Sequence, residues 1–208
     1  MKATDISKIR KSMEKTLDAK RYEHTLGVAY TAAALAMCHG ADIKRAQIAG
    51  LLHDCAKCID HQKKISICEK HNIPINDIER KNPFLLHAKV GSYITMHKYH
   101  INDSDIIYAI LNHTTGRPNM SLLEKIVFIA DYIEPGRKQA PNLKDIRKIA
   151  FADIDQALIM ILRDTLTYLE HTNIEVDPIT KATYDFYISS DSSAESTVQR
   201  ERTADTNE

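Results

Sequence analysis

An all-α fold is predicted, and three observations predict it. Six Gly and six Pro in 208 residues are too few for a turn-rich β architecture. Apolar residues recur at helical spacing along most of the chain, and no strand alternation persists. Capping residues also stand where such stretches begin and end. Asp18 caps a helix through "RYEHTLGVAYTAAALAMCH", closed by Gly40, whose alanines permit close approach of a neighbour. Asp42 caps the next, with Ile43, Ala46, Ala49, Leu52 and Ala56 on one stripe. "QKKISICEKHN" forms a third, stopped near Pro74; "FLLHAKVGSYITMHKYH" follows Pro83, and "SDIIYAILNH" makes a fifth. Ser121 and Glu124 spell a capping box opening "LLEKIVFIADYIE", which Pro135 and Gly136 end. After a polar loop, Ile154, Leu158, Ile161, Leu162, Thr165, Leu166 and Leu169 keep strict helical spacing. "ITKATYDFYIS" follows Pro178 as a last short helix.

Residues 1–189 thus read as one helical domain. Residues 190–208, with no aromatic and almost nothing apolar, read as a disordered polar tail that cannot offset its ordering entropy. Twenty-eight basic residues balance 28 acidic ones, which excludes a chain-wide cationic field for nucleic acid. No apolar run reaches the roughly 18 residues of a membrane span, and the opening lacks a signal-peptide pattern. Four cysteines without that pattern predict reduced thiols and a cytoplasmic protein. The chain is compatible with a monomer or a homodimer.

Ten histidines are many for this length, and they are not equivalent. His24, His53, His87 and His113, with Asp54 and Asp131, fall where apolar stripes on five segments point inward. A lone inward histidine is ordinarily a satisfied core residue. Four imidazoles and two carboxylates in one core are hard to satisfy with hydrogen bonds alone, and a polycation centre satisfies them together. Imidazole nitrogen and carboxylate oxygen suit Fe, Mn, Co or Zn. Residues 53 and 54 lie about 100° apart around a helix, so both can lean toward one point. Six ligand residues exceed the needs of one open site, which favours two metals, and Asp54 is the natural bridge. Arg21, Lys57 and Arg137 fall at the rim of that centre, where cations favour a phosphate substrate. Thr114, Thr115 and Arg117 follow His113, Arg117 reading equally well as a surface charge.

A rival pattern, Cys55, Cys58, Cys68 and His71, has the spacing of a small zinc site. Cys55 and Cys58 fall in the helix that presents His53 and Asp54, and the intervening residues lack knuckle glycines. Buried reduced thiols are the better reading. His39, His61, His71, His97, His100 and His171 read as solvated.

Taken together, "RYEHT", "LLHDCAK", "LLHAKVG" and "LNHTTGRPNMSLLEKIVFIADYIEPGR" resemble the HD-domain phosphohydrolases, and among them the YqeK family of bacterial symmetrical diadenosine tetraphosphate hydrolases. The resemblance spans roughly residues 5 to 188. It implies an HD-domain helical bundle around a dinuclear iron centre that cuts the dinucleotide in mid-chain to two ADP. By position, His24, His53, Asp54 and Asp131 would hold one iron, and Asp54, His87 and His113 the other. Arg21, Thr114 and Arg137 would meet phosphates, with Thr115 beside them. The stretch Thr172, Asn173, Ile174, Glu175, Val176 and Asp177 would bring backbone groups to the base. Asp54, Lys57 and Arg137 would carry the chemistry. Asp185 stands where the family commonly has asparagine.

Other readings share parts of this pattern. An HD phosphatase of simpler nucleotides would use the same metals, and a redox enzyme could use a mixed His/carboxylate di-iron core. A non-catalytic HD module binding a nucleotide or a protein typically lacks ligands that are all present here, and the expected partners are a dinucleoside polyphosphate and its ADP- or GDP-type product.

Overall fold

The computed structural model describes residues 5–172 and 175–190. Among these the chain is helical throughout: α1 (Ile6–Thr16), α2 (Ala19–His39), α3 (Ile43–Leu52), α4 (His61–Lys70), α5 (Asp77–Lys81), α6 (His87–His97), α7 (Ser104–Asn112), α8 (Leu122–Ile133), α9 (Leu143–Ile149), α10 (Ile154–His171) and α11 (178–190). A 3-10 turn, Pro83–Leu86, leads into α6. No helix among the described residues is long and apolar enough to cross a membrane. The predicted 190–208 tail lies outside the described residues except for Ser190, the last residue of α11.

The start and stop signals act as read. Asp18 accepts from the Arg21 amide, and Gly40 takes the left-handed conformation (φ 73°) that ends α2. Ser121 and Glu124 close the capping box of α8 reciprocally. The small residues of α2 bring α3 very close: a Cβ on Gly50 would lie 2.7 Å from the Ala29 Cα. Leu158, Ile161 and Leu162 of α10 are at most 1% exposed, each contributing about 1.5–3 kcal/mol as an upper bound. A separate small cluster, Ala56, Cys68, Leu86 and Val90, sits beneath α4 and the 3-10 turn.

Several elements differ from expectation. The stripe through Ala56 does not continue the α3 helix, which ends at Leu52. The chain then descends through tight turns in which Cys55, Lys57 and Ile59 bond carbonyls three residues back. α1 and α5 are additional helices. The polar loop after α8 contains α9, whose Ile146 is fully buried. Its start is hidden because Asn142 is left-handed (φ 51°) and makes no side-chain cap; its amide goes to Asp164 instead. "FLLHAKVG" divides at His87 between the 3-10 turn and α6.

Arg117, read from the sequence as a surface charge, is half-buried and tied to a glutamate. Its guanidinium donates twice to Glu124, Nε to Oε1 and Nη2 to Oε2, both at 2.7 Å. Asn112 donates to the same carboxylate at 2.7 Å, and burial is outweighed, so Glu124 titrates below the usual glutamate range. That contribution is complete above the unfolded pKa and disappears as pH falls through the lower folded value. Arg117→Ala should cost about 2 kcal/mol, roughly 4–8 °C in Tm, at pH 7. The gap from the unaltered protein should narrow below about pH 4, and calorimetry across pH checks both statements.

Candidate metal centre

Three of the imidazoles at the centre stand at the ends of helices, while His24 lies within α2. His53 and His113 are the C-caps of α3 and α7, and His87 is the first residue of α6. Each turns Nδ1 onto a carbonyl three residues earlier: His53 on Gly50 O at 2.7 Å, His87 on Phe84 O at 2.6 Å, and His113 on Ile110 O at 2.7 Å. A carbonyl only accepts, so Nδ1 carries the proton and each Nε2 keeps its lone pair. At the ends of α3 and α7 those carbonyls would otherwise lack a partner. One bond therefore completes the helix end and aims the ring inward.

The Nε2 atoms converge on Asp54, which is 1% exposed. His87 Nε2 lies 3.2 Å and His113 Nε2 3.6 Å from its Oδ1. His53 Nε2 lies 3.5 Å and His24 Nε2 3.9 Å from its Oδ2. The carboxylate thus turns one oxygen to each pair of imidazoles. Asp131, on α8, places Oδ1 3.1 Å from His24 Nε2. His24, His53 and Asp131 bring one donor atom each within 4.8 Å of one another, and so do His53, Asp54 and His113.

Hydrogen bonding does not account for these contacts. His24 Nε2, His53 Nε2 and Asp54 Oδ1 are buried and have no hydrogen-bond partner. His87 and His113 face each other Nε2 to Nε2 at 3.1 Å, a repulsive pairing of lone pairs unless a cation or donor stands between. Lys57 Nζ, 3.1 Å from His87 Nε2, and the Thr114 hydroxyl, 3.2 Å from both rings, are the donors at hand. Burial, with the nearby charges of His113 and Lys57, pushes His87 down to about 4, so it is neutral at pH 7. Burial works against ionised Asp54, yet the surrounding imidazoles hold its carboxyl well below the usual range. His24 is also opposed by burial, but Asp131 and Glu134 raise it. Inward imidazole nitrogens, buried carboxylates and orphaned polar atoms are the donor set of a divalent transition-metal site.

The rim cations are each tied to this core. Arg21 Nη1 reaches Asp54 Oδ2 at 2.7 Å, and Lys57 Nζ stands 3.6 Å from Oδ1. Arg137 Nη2 donates to Asp131 Oδ1 and to the Asp131 carbonyl, both at 3.0 Å. The stretch expected at the base is more scattered. Thr172 is exposed at the end of α10 and bonds back to Tyr168 and Leu169 carbonyls. Asn173 and Ile174 lie outside the described residues. Glu175 pairs with Lys81 at 3.0 Å, Val176 is half-buried, and Asp177 shares a cleft with Thr114 and Thr115. Asp185 is exposed and pairs with Lys181 at 2.7 Å, lining neither cleft beside Thr114.

The cysteines do not assemble. Cys55 donates to Gly91 O and Cys58 to Asp18 Oδ2, while Cys68 is buried in the small cluster. Cys38 and Cys58 are exposed, so only two of the four thiols are buried as expected, and burial pushes Cys55 up to about 12. Of the other six histidines, five are exposed and His39 is half-buried against the Ala150 carbonyl.

One residue of the centre went unread. Glu134 is 4% exposed and accepts from His24 Nδ1 at 3.1 Å and from the Gly136 amide at 2.5 Å. A Cβ on Gly27 would meet its Oε2 at 2.6 Å, so only glycine there leaves room for it. The sequence signal was the acidic residue directly before the Pro135-Gly136 stop.

The chain belongs to the HD-domain family, whose pattern matches residues 21–136. It is 41% identical over 177 residues to the symmetrical bis(5'-nucleosyl)-tetraphosphatase of Bacillus subtilis, covering 85% of this chain and 94% of that one. The protein of the same description from Halalkalibacterium halodurans is 44% identical over 168 residues, with 81% and 89% covered. A Clostridium acetobutylicum crystal structure, described as a predicted HD superfamily hydrolase involved in NAD metabolism, superposes with a TM-score of 0.86 at 40% identity, covering 89% of this chain and 97% of that one. The branch of the HD family in which the chain falls is therefore that of the symmetrical bis(5'-nucleosyl)-tetraphosphatases.

Glu134→Gln keeps the side chain's size but leaves one oxygen to serve two donors. It should weaken metal retention about 10- to 100-fold with little change in melting of the metal-free protein. Competition with a chelator of known affinity measures the first quantity and calorimetry the second.

Proposed function

We propose that the protein is a metal-dependent hydrolase that cleaves diadenosine tetraphosphate symmetrically to two ADP, with two iron ions at the centre and Mn, Co or Zn as substitutes. One observation carries the reading: Asp54 turns Oδ2 toward His24 and His53 and Oδ1 toward His87 and His113. That arrangement supports His24, His53, Asp54 and Asp131 as one ligand set and Asp54, His87 and His113 as the other. The relatives named for symmetrical tetraphosphatase activity support the substrate. Four free cysteines suit a reducing cytoplasm.

When bound, the metals supply Lewis acidity to a phosphoryl group and acidify a water for in-line attack. The chain's own residues do the rest. Arg21 and Lys57 fix the Asp54 carboxylate from opposite sides, which sets the direction of each oxygen. Lys57, His113, Thr114, Asp131 and Arg137 line a cleft of about 280 Å³ at the centre. Arg137 and Lys57 there face the charge that develops on the phosphoryl oxygens. The Thr114 hydroxyl supplies a neutral donor between them and the imidazoles. ADP is already a good leaving group, so no strong general acid is required.

The iron-loaded protein should release ADP as the sole initial nucleotide product, read by chromatography at early times. AMP with ATP would overturn the symmetrical cut, and an untouched dinucleotide would overturn the substrate. Arg137→Ala should slow turnover about 100-fold or more while iron content stays constant. Asp54→Ala should lose both ions, as elemental analysis will show.

A further inference from the structure

Two clefts share Thr114 in their lining, and one of them also reaches His113 and Asp131 of the centre. The smaller, about 220 Å³, runs past Thr115, Asn76 and Lys89 to Asp177, the end of the stretch assigned to the base. The larger lies between α8, the residues leading into α9, and α10, and no residue expected at the base lines it within the described chain. Past Arg137 it meets Phe128, Tyr132, Asp164 and Tyr168. We propose that this larger cleft is a second nucleoside pocket, holding the half of a dinucleoside tetraphosphate that the 172–177 stretch does not reach. The proposal rests on the function given above and adds how the substrate is held.

The lining has the groups a nucleoside diphosphate needs: a guanidinium, aromatic rings and a carboxylate. Arg137 comes first, and its Nε is buried without a partner although Nη2 is held by Asp131. A phosphate entering from the centre meets the exposed part of that guanidinium, whose side chain is 41% exposed. The aromatic residues come next. Tyr168 is 59% exposed, a large ring at the cleft wall with a face free for a base, and stacking suits any base. Asp164 comes last, 8% exposed, with both oxygens 3.0 Å from the Asn142 amide nitrogen. An ionised carboxylate has about four acceptor sites, so it can still accept from the amino group of adenine.

Two pockets also explain a cut at the middle of the chain. A protein that grips one nucleoside measures the scissile bond from one end only. Gripping both fixes the central anhydride over the metals, because each arm is one nucleoside diphosphate long.

Equilibrium dialysis of the metal-loaded protein against ADP provides the test. The unaltered chain should bind two ADP, and Tyr168→Ala and Thr165→Trp, the second filling the cleft, should bind one. Both variants should raise KM for diadenosine tetraphosphate about tenfold while leaving KM for adenosine 5'-tetraphosphate within twofold, because the shorter compound needs a single pocket. One ADP per chain in all three proteins, or two retained in both variants, overturns the proposal. If the unaltered protein leaves the dinucleotide intact yet binds two ADP, and the variants one, the activity falls and the pocket stands.

Discussion

A buried carboxylate governs this molecule. Asp54 is almost completely shielded from water, where an isolated carboxylate would be prohibitively costly. Arg21 from α2, Lys57 from the turns after α3, and imidazoles from α2, α3, α6 and α7 surround it. Four helices and one turn thus owe their meeting point to one side chain. The close Gly50–Ala29 approach holds the first two of those helices at the spacing the centre needs.

The cations at the rim serve the same carboxylates. Arg21 and Lys57 address Asp54, and Arg137 addresses Asp131. Charge that would otherwise repel a polyphosphate is therefore partly neutralised within the protein before any substrate arrives. Arg137, whose side chain is 41% exposed and lines the larger cleft, leaves the centre an approach for anions.

The long elements were legible because caps and periodicity agreed, as in α2, α8 and α10. Where these signals part, the sequence misleads. α9 begins at a left-handed asparagine whose side chain serves Asp164, so its start carries no readable cap. The α3 stripe continues through Ala56 on paper, but His53 turns back onto Gly50 and the ladder stops. The six inward His and Asp residues were visible as polar breaks in apolar stripes, and the structure brings them together. What orients them was not visible. A histidine three residues after the carbonyl that accepts from it has no compositional mark, although "GLLH", "FLLH" and "ILNH" all share that spacing. Glu134 escaped because a glutamate before Pro-Gly reads as a loop residue until Gly27 is seen to make room for it.

The small cluster of Ala56, Cys68, Leu86 and Val90 is packed apart from the main core. Four buried and six partly buried apolar side chains make it up, far fewer than in the main core, so the flap formed by α4, α5 and the 3-10 turn sits at the low end of the protein's local opening energies. Amides of that flap should exchange with solvent deuterium well before those of α2 and α3. Because Lys57 and His87 stand at its two hinges, each opening also uncovers one flank of the centre. Ligands that seal this flank would thus be read as slowed exchange in α4, a helix that carries none of the metal ligands.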